Sequence, residues 1–158
     1  MIARYAWLRV ALGLALAVGL PGCGGNTGPD PPPPPTPTPA PAPFVIFQSA
    51  FPPLTPGDGA SGDFTIPAAG TVRATMDWTF PSNRMFIFVF SGLTCDDFGT
   101  FLVTGAAPGC TVLGQDVDPN TKPASLSFTV AAGQGARVFV FNGGPTNESG
   151  VVQITLTR

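Results

Sequence analysis

The sequence contains no histidine, one glutamate (Glu148) and one lysine (Lys122) in 158 residues. Without histidine the usual general base and the commonest metal ligand are missing, and no Ser/His/Asp or Cys/His set can be assembled. With a single Glu, a paired-carboxylate glycosidase would have to work with Asp alone. Ser125 follows Lys122 by three residues, the reverse of the Ser-x-x-Lys order, so that nucleophile pattern fails too. Charged residues make up only 10%, with seven Lys+Arg against nine Asp+Glu, which excludes a basic nucleic-acid surface and long charged helices. No stretch of ten residues carries a 3.6-residue apolar period. These absences point to a chain that is not an enzyme and has no cofactor or nucleic-acid partner.

What is present begins with an address. Arg4 and Arg9 precede an apolar run from Val10 to Leu20, too short to span a bilayer as a mature helix, and the run ends in Leu20-Pro21-Gly22-Cys23. These residues resemble the bacterial lipoprotein signal, the lipobox, with Pro21 a departure at the middle place. The resemblance implies cleavage before Cys23, a diacylglycerol on its sulfur and a further acyl chain on the new amine. Two or more chains give stable attachment, at roughly 0.8 kcal/mol per buried CH₂. Gly24, where an Asp would retain the protein at the inner membrane, implies the outer membrane. An ordinary cleaved signal with an incidental Cys, or an uncleaved anchor, is the alternative. After cleavage five cations face nine carboxylates, a net charge of −4.

Residues 1–22 are thus expected as the signal, with a signal helix, and 23–43 as a lipidated Cys with a disordered linker. Ten prolines fall between Pro29 and Pro43. Proline lacks the N–H donor, so this run should be polyproline II, a spacer rising about 3.1 Å per residue. Recognition as a proline-rich ligand is the rival reading. Lipidation of Cys23 leaves Cys95 and Cys110 as an even pair in an oxidising compartment, where a disulfide persists. Its loop of about 15 residues corresponds to roughly 3 kcal/mol on the chain-entropy model. Two free buried thiols are the alternative.

Residues 44–158 are enough for one domain, a monomer, and read as all-β. Strands are expected at 44–48, 62–66, 71–78, 85–90, 98–103, 111–113, 124–130, 136–141 and 151–157, separated by Gly, Pro, Asn and Asp turns. Val72, Ala74, Met76 and Trp78 alternate with Thr71, Arg73, Thr75 and Asp77, which leaves one wet face, as in a single antiparallel β-sandwich.

From Gly70 to Thr157 the chain resembles the bacterial pre-peptidase C-terminal domain, a small jelly-roll-like β-sandwich. The resemblance rests on the order of Gly70-Thr71-Val72, Asp77-Trp78, Pro81-Ser82-Asn83, Ala131-Ala132-Gly133, Asn142-Gly143-Gly144-Pro145 and Glu148-Ser149-Gly150. A subgroup of such domains carries a mid-domain Cys pair, matched here by Cys95 and Cys110. The resemblance implies an accessory role beside secreted peptidases, although no peptidase is attached. One departure stands out. The family's outward Asp positions, which could contribute to a calcium site, are lost: Met85, Ile87 and Val89 face inward, and Phe86, Phe88 and Phe90 outward. Likewise Val138 and Val140 face inward, and Phe139 and Phe141 outward.

Those five phenylalanines are the candidate binding patch for a protein or lipid. The competing reading is that the Cys95–Cys110 loop or residues 44–51 fold over them, since burial on both faces gives a continuous apolar strand. Sugar stacking suits Trp and Tyr better. Asp116, Asp118 and Asn120 place oxygens at alternate positions like a calcium loop, but Thr121 and Ser127 stand where an EF-hand needs Gly and Glu. A solvated acidic loop is the plainer reading, as is plain surface for Asp96 and Asp97. Asn147-Glu148-Ser149 is a glycosylation sequon without weight in a bacterial lipoprotein. The expected function is a lipid-anchored, non-enzymatic envelope module for binding or accessory work, with a structural spacer as the alternative.

Overall fold

Strand β1 (Phe44–Leu54) follows the proline-rich run and is succeeded by β2 (Gly59–Ile66), β3 (Gly70–Trp78), β4 (Met85–Ser91), α1 (Phe98–Thr104), β5 (Thr111–Asp116), β6 (Ala124–Val130), β7 (Gln134–Asn142) and β8 (Glu148–Thr157). The computed structural model describes residue 33, residues 35–118 and residues 121–158. Residues 1–22, expected as a signal with a signal helix, Cys23, expected to carry lipid, and Asn120 of the acidic loop lie outside the described residues. Thr38–Arg158 form one compact unit. The described linker residues, 33 and 35–43, are exposed and have no regular secondary structure, as expected where proline removes ladder donors.

The strands form two four-stranded sheets, ordered β1-β8-β3-β6 and β2-β7-β4-β5. Every pairing is antiparallel. Consecutive strands mostly fall in opposite sheets, and this interleaved order is that of a jelly roll. The expected β-sandwich is therefore present. Alternation fills the space between the sheets: Val72, Ala74, Met76 and Trp78 from β3, Val152, Ile154 and Leu156 from β8, Met85, Ile87 and Val89 from β4, and Ala136, Val138 and Val140 from β7. Register aligns these rows. Val72 stands opposite Leu156 on one side and Phe128 on the other.

Residues 98–103 were expected as a strand and are instead helix α1. The segment Phe98-Gly99-Thr100-Phe101-Leu102-Val103 has strand-like composition, but its ends carry helix signals. The Asp97 side chain accepts from the Thr100 N–H at 2.9 Å, an N-cap. Gly105 takes the left-handed conformation (φ 75°) that closes a helix, its N–H donating to the Phe101 carbonyl at 2.8 Å. Among the described residues no helix is long and apolar enough to cross a membrane.

The connections define two ends. The linker enters at Phe44, opposite Leu156, and this end also holds the β2–β3 and β6–β7 turns. The β1–β2, β3–β4, β5–β6 and β7–β8 connections gather at the other end, where Leu54 stands opposite Glu148.

Candidate functional site

Two places carry chemistry that the fold alone does not require: the outer face of sheet β2-β7-β4-β5 and the end remote from the linker. On the outer face, register sets Phe86 opposite Phe141 and Phe88 opposite Phe139. The five phenylalanines do form one aromatic ladder, with Phe86 stacked on Phe141 at 6.1 Å. Most of it is covered. Phe88, Phe90 and Phe139 are only 5%, 0% and 6% exposed, so they are not an open patch; Phe86 and Phe141 stay half-buried. The cover is α1 and its flanking loop. Phe98 lies flat on Phe139, with ring centres 3.9 Å apart, and Phe101 meets Phe90 edge-on at 4.9 Å. A second small core results, of Phe88, Phe90, Cys95, Phe101 and Phe139, separate from the inter-sheet core. Residues 44–51 pair with β8 and contribute to the main core instead.

Three devices hold the cover. Cys95 and Cys110 are joined by a disulfide at the two ends of the loop. The Arg137 guanidinium, on β7, donates to both carboxylate oxygens of Asp63 at 2.6 and 3.1 Å, to the Cys95 carbonyl at 2.9 Å, and to Asp96. Asp97 caps the helix. The hydrogen bonds from Arg137, with its positive charge, hold the Asp63 carboxyl below the ordinary value, while the two Asp partners raise Arg137. The Thr100 N–H lowers Asp97 in the same way. Asp96 and Asp97, read from sequence as plain surface, are thus a staple and a cap.

The acidic loop organises itself. Asp116 accepts the Asp118 N–H at 3.0 Å and the Ser125 N–H at 2.9 Å, and Asp118 accepts the Thr121 hydroxyl at 2.9 Å. Both carboxylates thus engage donors of the loop itself. Among the described residues there is no group of three or more His, Cys, Asp or Glu placed to hold a metal ion.

The remote end is built on a buried polar clasp of Asn83, Asn142 and Glu148, each at most 2% exposed. The Glu148 carboxylate accepts the N–H groups of Thr79 (2.8 Å), Phe80 (3.2 Å) and Ser149 (3.2 Å), and the Asn83 amide (3.3 Å). The Asn83 amide also donates to Asn142 Oδ1 and the Thr146 carbonyl. Asn142 Nδ2 donates to the Leu54 carbonyl at 2.9 Å and the Thr146 carbonyl at 2.8 Å. Its backbone pairs with Gly57 and Asp58. One network thereby ties together the β1–β2, β3–β4 and β7–β8 connections. Gly144 is required in it, because a Cβ there would overlap Asn83 Oδ1. A buried carboxylate without hydrogen bonds would be strongly destabilising; several N–H donors offset that cost. The three residues were present in the sequence as turn chemistry and a solitary Glu, and nothing in their spacing announced burial. The exposed rim of this end includes Phe80, at 53% exposure, with Ser82, Arg84 and Pro145.

The cover can be opened chemically. Reducing Cys95–Cys110 removes about 3 kcal/mol of loop constraint and should uncover Phe88, Phe90 and Phe139 while the jelly roll persists. A hydrophobic dye should then gain fluorescence with far-UV circular dichroism unchanged; no gain on complete reduction would contradict the assignment of α1 as a disulfide-held cover. Acid provides a second route. Asp63 and Asp97 have folded values below their unfolded ones, so their stabilisation is complete above about pH 4 and is lost as pH falls through the folded values. The dye signal should therefore rise at a higher pH than the loss of β circular dichroism, and coincident transitions would count against this order.

No protein-family model matches the sequence, and no curated protein matches it either. Among solved structures, the chain is similar to a carbohydrate-binding module of lichenase 5A from Cellvibrio mixtus, with 13% identity and a TM-score of 0.40 over 66% of this chain and 75% of that one. It is similar to the C-terminal module of a laminarinase from Zobellia galactanivorans, with 14% identity and a TM-score of 0.43 over 72% and 99%. It also resembles a periplasmic inhibitor of g-type lysozyme from Aeromonas hydrophila, with 14% identity and a TM-score of 0.40 over 75% and 87%. Likeness at this level assigns no role to any residue of this chain.

Proposed function

We propose that the chain is an exported lipoprotein, anchored through Cys23 in the outer membrane, whose jelly roll is a non-enzymatic binding or accessory module of the cell envelope. The module binds with the end remote from its linker. The observation that carries this reading is the Asn83–Asn142–Glu148 clasp. Connecting loops are ordinarily the most mobile parts of a domain. Here three of them are held by a buried network at the end opposite the point where the linker enters. Holding loops in one conformation lowers the ordering cost of binding, whereas a spacer gains nothing from it.

Export is supported by two sequence features and one structural one. The lipobox-like Leu20-Pro21-Gly22-Cys23 leads the chain, a proline-rich run follows, and the two remaining cysteines are joined as a disulfide. The resemblance to pre-peptidase C-terminal domains supports an accessory role, and the complete lack of histidine supports a non-enzymatic one. The aromatic ladder, the first docking surface suggested by the sequence, is mostly covered and favours the spacer alternative at that face.

Purified Cys23→Ser protein, which has no lipid, separates the two readings. Mixed with isolated envelopes, it should sediment with them, and Phe80→Asp with Pro145→Asp should release it. Val103→Ser, on the 85% exposed outer side of α1, should leave sedimentation unchanged. A Cys23→Ser protein found wholly in the supernatant would establish the spacer instead. Mass spectrometry of the native N-terminus should find Cys23 acylated, and an unmodified Cys23 would remove the anchor.

A further inference from the structure

Resting on the reading of the remote end as the binding end, we infer that this end holds a site for a single carboxylate group, with Arg84 as its ligand. A groove of about 490 Å³ lies there, lined by Ser82, Arg84, Gly143, Gly144 and Pro145. Its walls are the outer surfaces of the clasped loops. Asn83 is buried between Ser82 and Arg84, and Asn142 is buried just before Gly143. The Gly143 N–H donates to the Arg84 carbonyl at 3.0 Å, and the Asn83 amide to Asn142 Oδ1 at 3.2 Å, so the two walls are joined by hydrogen bonds.

Arg84 is distinguished by what it does not do. Among the described residues there are five cations. Lys122 pairs with Asp77, Arg137 with Asp63 and Asp96, and Arg158 lies over the Phe44 ring. Arg73 stands on the outer face of β3, away from any groove described. Arg84 is exposed, and no described residue forms an ion pair with its side chain. Neither Asp58 nor Glu148 is paired with it. Asp58 is engaged by the Thr55 hydroxyl, and Glu148 is buried among N–H donors. The clasp thus fixes the backbone on both sides of an uncommitted guanidinium that faces water.

The chemistry selects the ligand. A guanidinium presents a planar fork of donors that matches a carboxylate in two parallel hydrogen bonds. The Ser82 hydroxyl adds a donor, and Pro145 offers an apolar wall for an uncharged body behind the carboxylate. One cation balances one unit of negative charge. A phosphate monoester carries about −1.5 to −2 at neutral pH and would remain under-neutralised in a domain that is itself acidic. The ligand class is therefore a monocarboxylate on a neutral body, that of a free peptide C-terminus.

The test is a titration of the full chain in detergent, read by amide NMR at Ser82, Asn83, Arg84, Gly143 and Gly144. The probes are N-acetyl-alanyl-alanine, its C-terminal amide and inorganic phosphate. The carboxylate probe should move these amides saturably, the amide probe should not, and phosphate should bind more weakly. Arg84→Gln should weaken carboxylate binding about tenfold or more, with the unliganded spectrum of the clasp residues preserved, and Arg84→Lys should restore it in part. Equal responses to the acid and the amide, no saturable response, or an Arg84→Gln protein that binds like wild type would each overturn the site. If Cys23→Ser protein still sediments with envelopes through Phe80 and Pro145 while these titrations fail, the carboxylate site falls and the remote binding end stands.

Discussion

Strands β4 and β7 at the centre of sheet β2-β7-β4-β5 carry apolar side chains on both faces, and such a strand pair has to be covered twice. The jelly roll supplies one cover, packing Met85, Ile87, Val89, Val138 and Val140 against the opposite sheet. The other face, with Phe86, Phe88, Phe90, Phe139 and Phe141, has no second sheet to meet. The chain solves this with the β4–β5 connection, which forms α1 and lies across the ladder. A seven-residue helix is too short to be stable alone. Its stability comes from the rings beneath it, an N-cap, a left-handed glycine, a disulfide and the Arg137 staple. Each is explained by the need to keep a small cover on a large aromatic surface.

On the proposed reading, that cover leaves another part of the molecule to face a partner. With the ladder mostly closed, the rim of the remote end remains, and it is unusual in a different way. Its loops are not tethered by apolar packing but by a carboxylate and two amides taken out of water. Buried polar groups are costly and become stabilising only when they find partners; in this clasp every carboxylate and amide group but Asn83 Oδ1 has one. Glu148 engages donors from two chain segments, while Asn142 joins these to the end of β1. The result is a rigid platform carrying Phe80, Arg84 and Pro145 outward. Rigidity placed there, rather than along the sheets, is the physical basis for proposing recognition at this end.

Much of the fold was legible because it rests on period-two alternation. The β3, β6 and β8 faces follow directly from Val72-Arg73-Ala74, Leu126-Ser127-Phe128 and Val152-Gln153-Ile154. The inward and outward assignments of β4 and β7 follow the same alternation, with Met85, Ile87, Val89, Val138 and Val140 inward and the larger phenylalanines outward. Helix α1 was not legible, since Phe, Thr, Leu and Val suit a strand and seven residues give a helical period too little room. Its signals were at the ends, in Asp97 and Gly105. The clasp was not legible for another reason. Asn83 and Asn142 sit in turn-like surroundings where asparagine is normally solvated, and burial arises only when three distant connections meet. Arg84 becomes notable only once Lys122, Arg137 and Arg158 are seen to be engaged and Arg73 is placed on an open sheet face.

The claim that the remote end is a preformed platform is tested most directly by amide hydrogen exchange at Thr79, Phe80 and Ser149, the three backbone donors to Glu148. The account predicts exchange as slow as that of the paired amides between Val152 and Leu156 in β8, and strong acceleration in Glu148→Gln while those central β8 amides stay protected. Exchange in the wild-type protein as fast as in the exposed turn at Ala131 and Ala132 would contradict it.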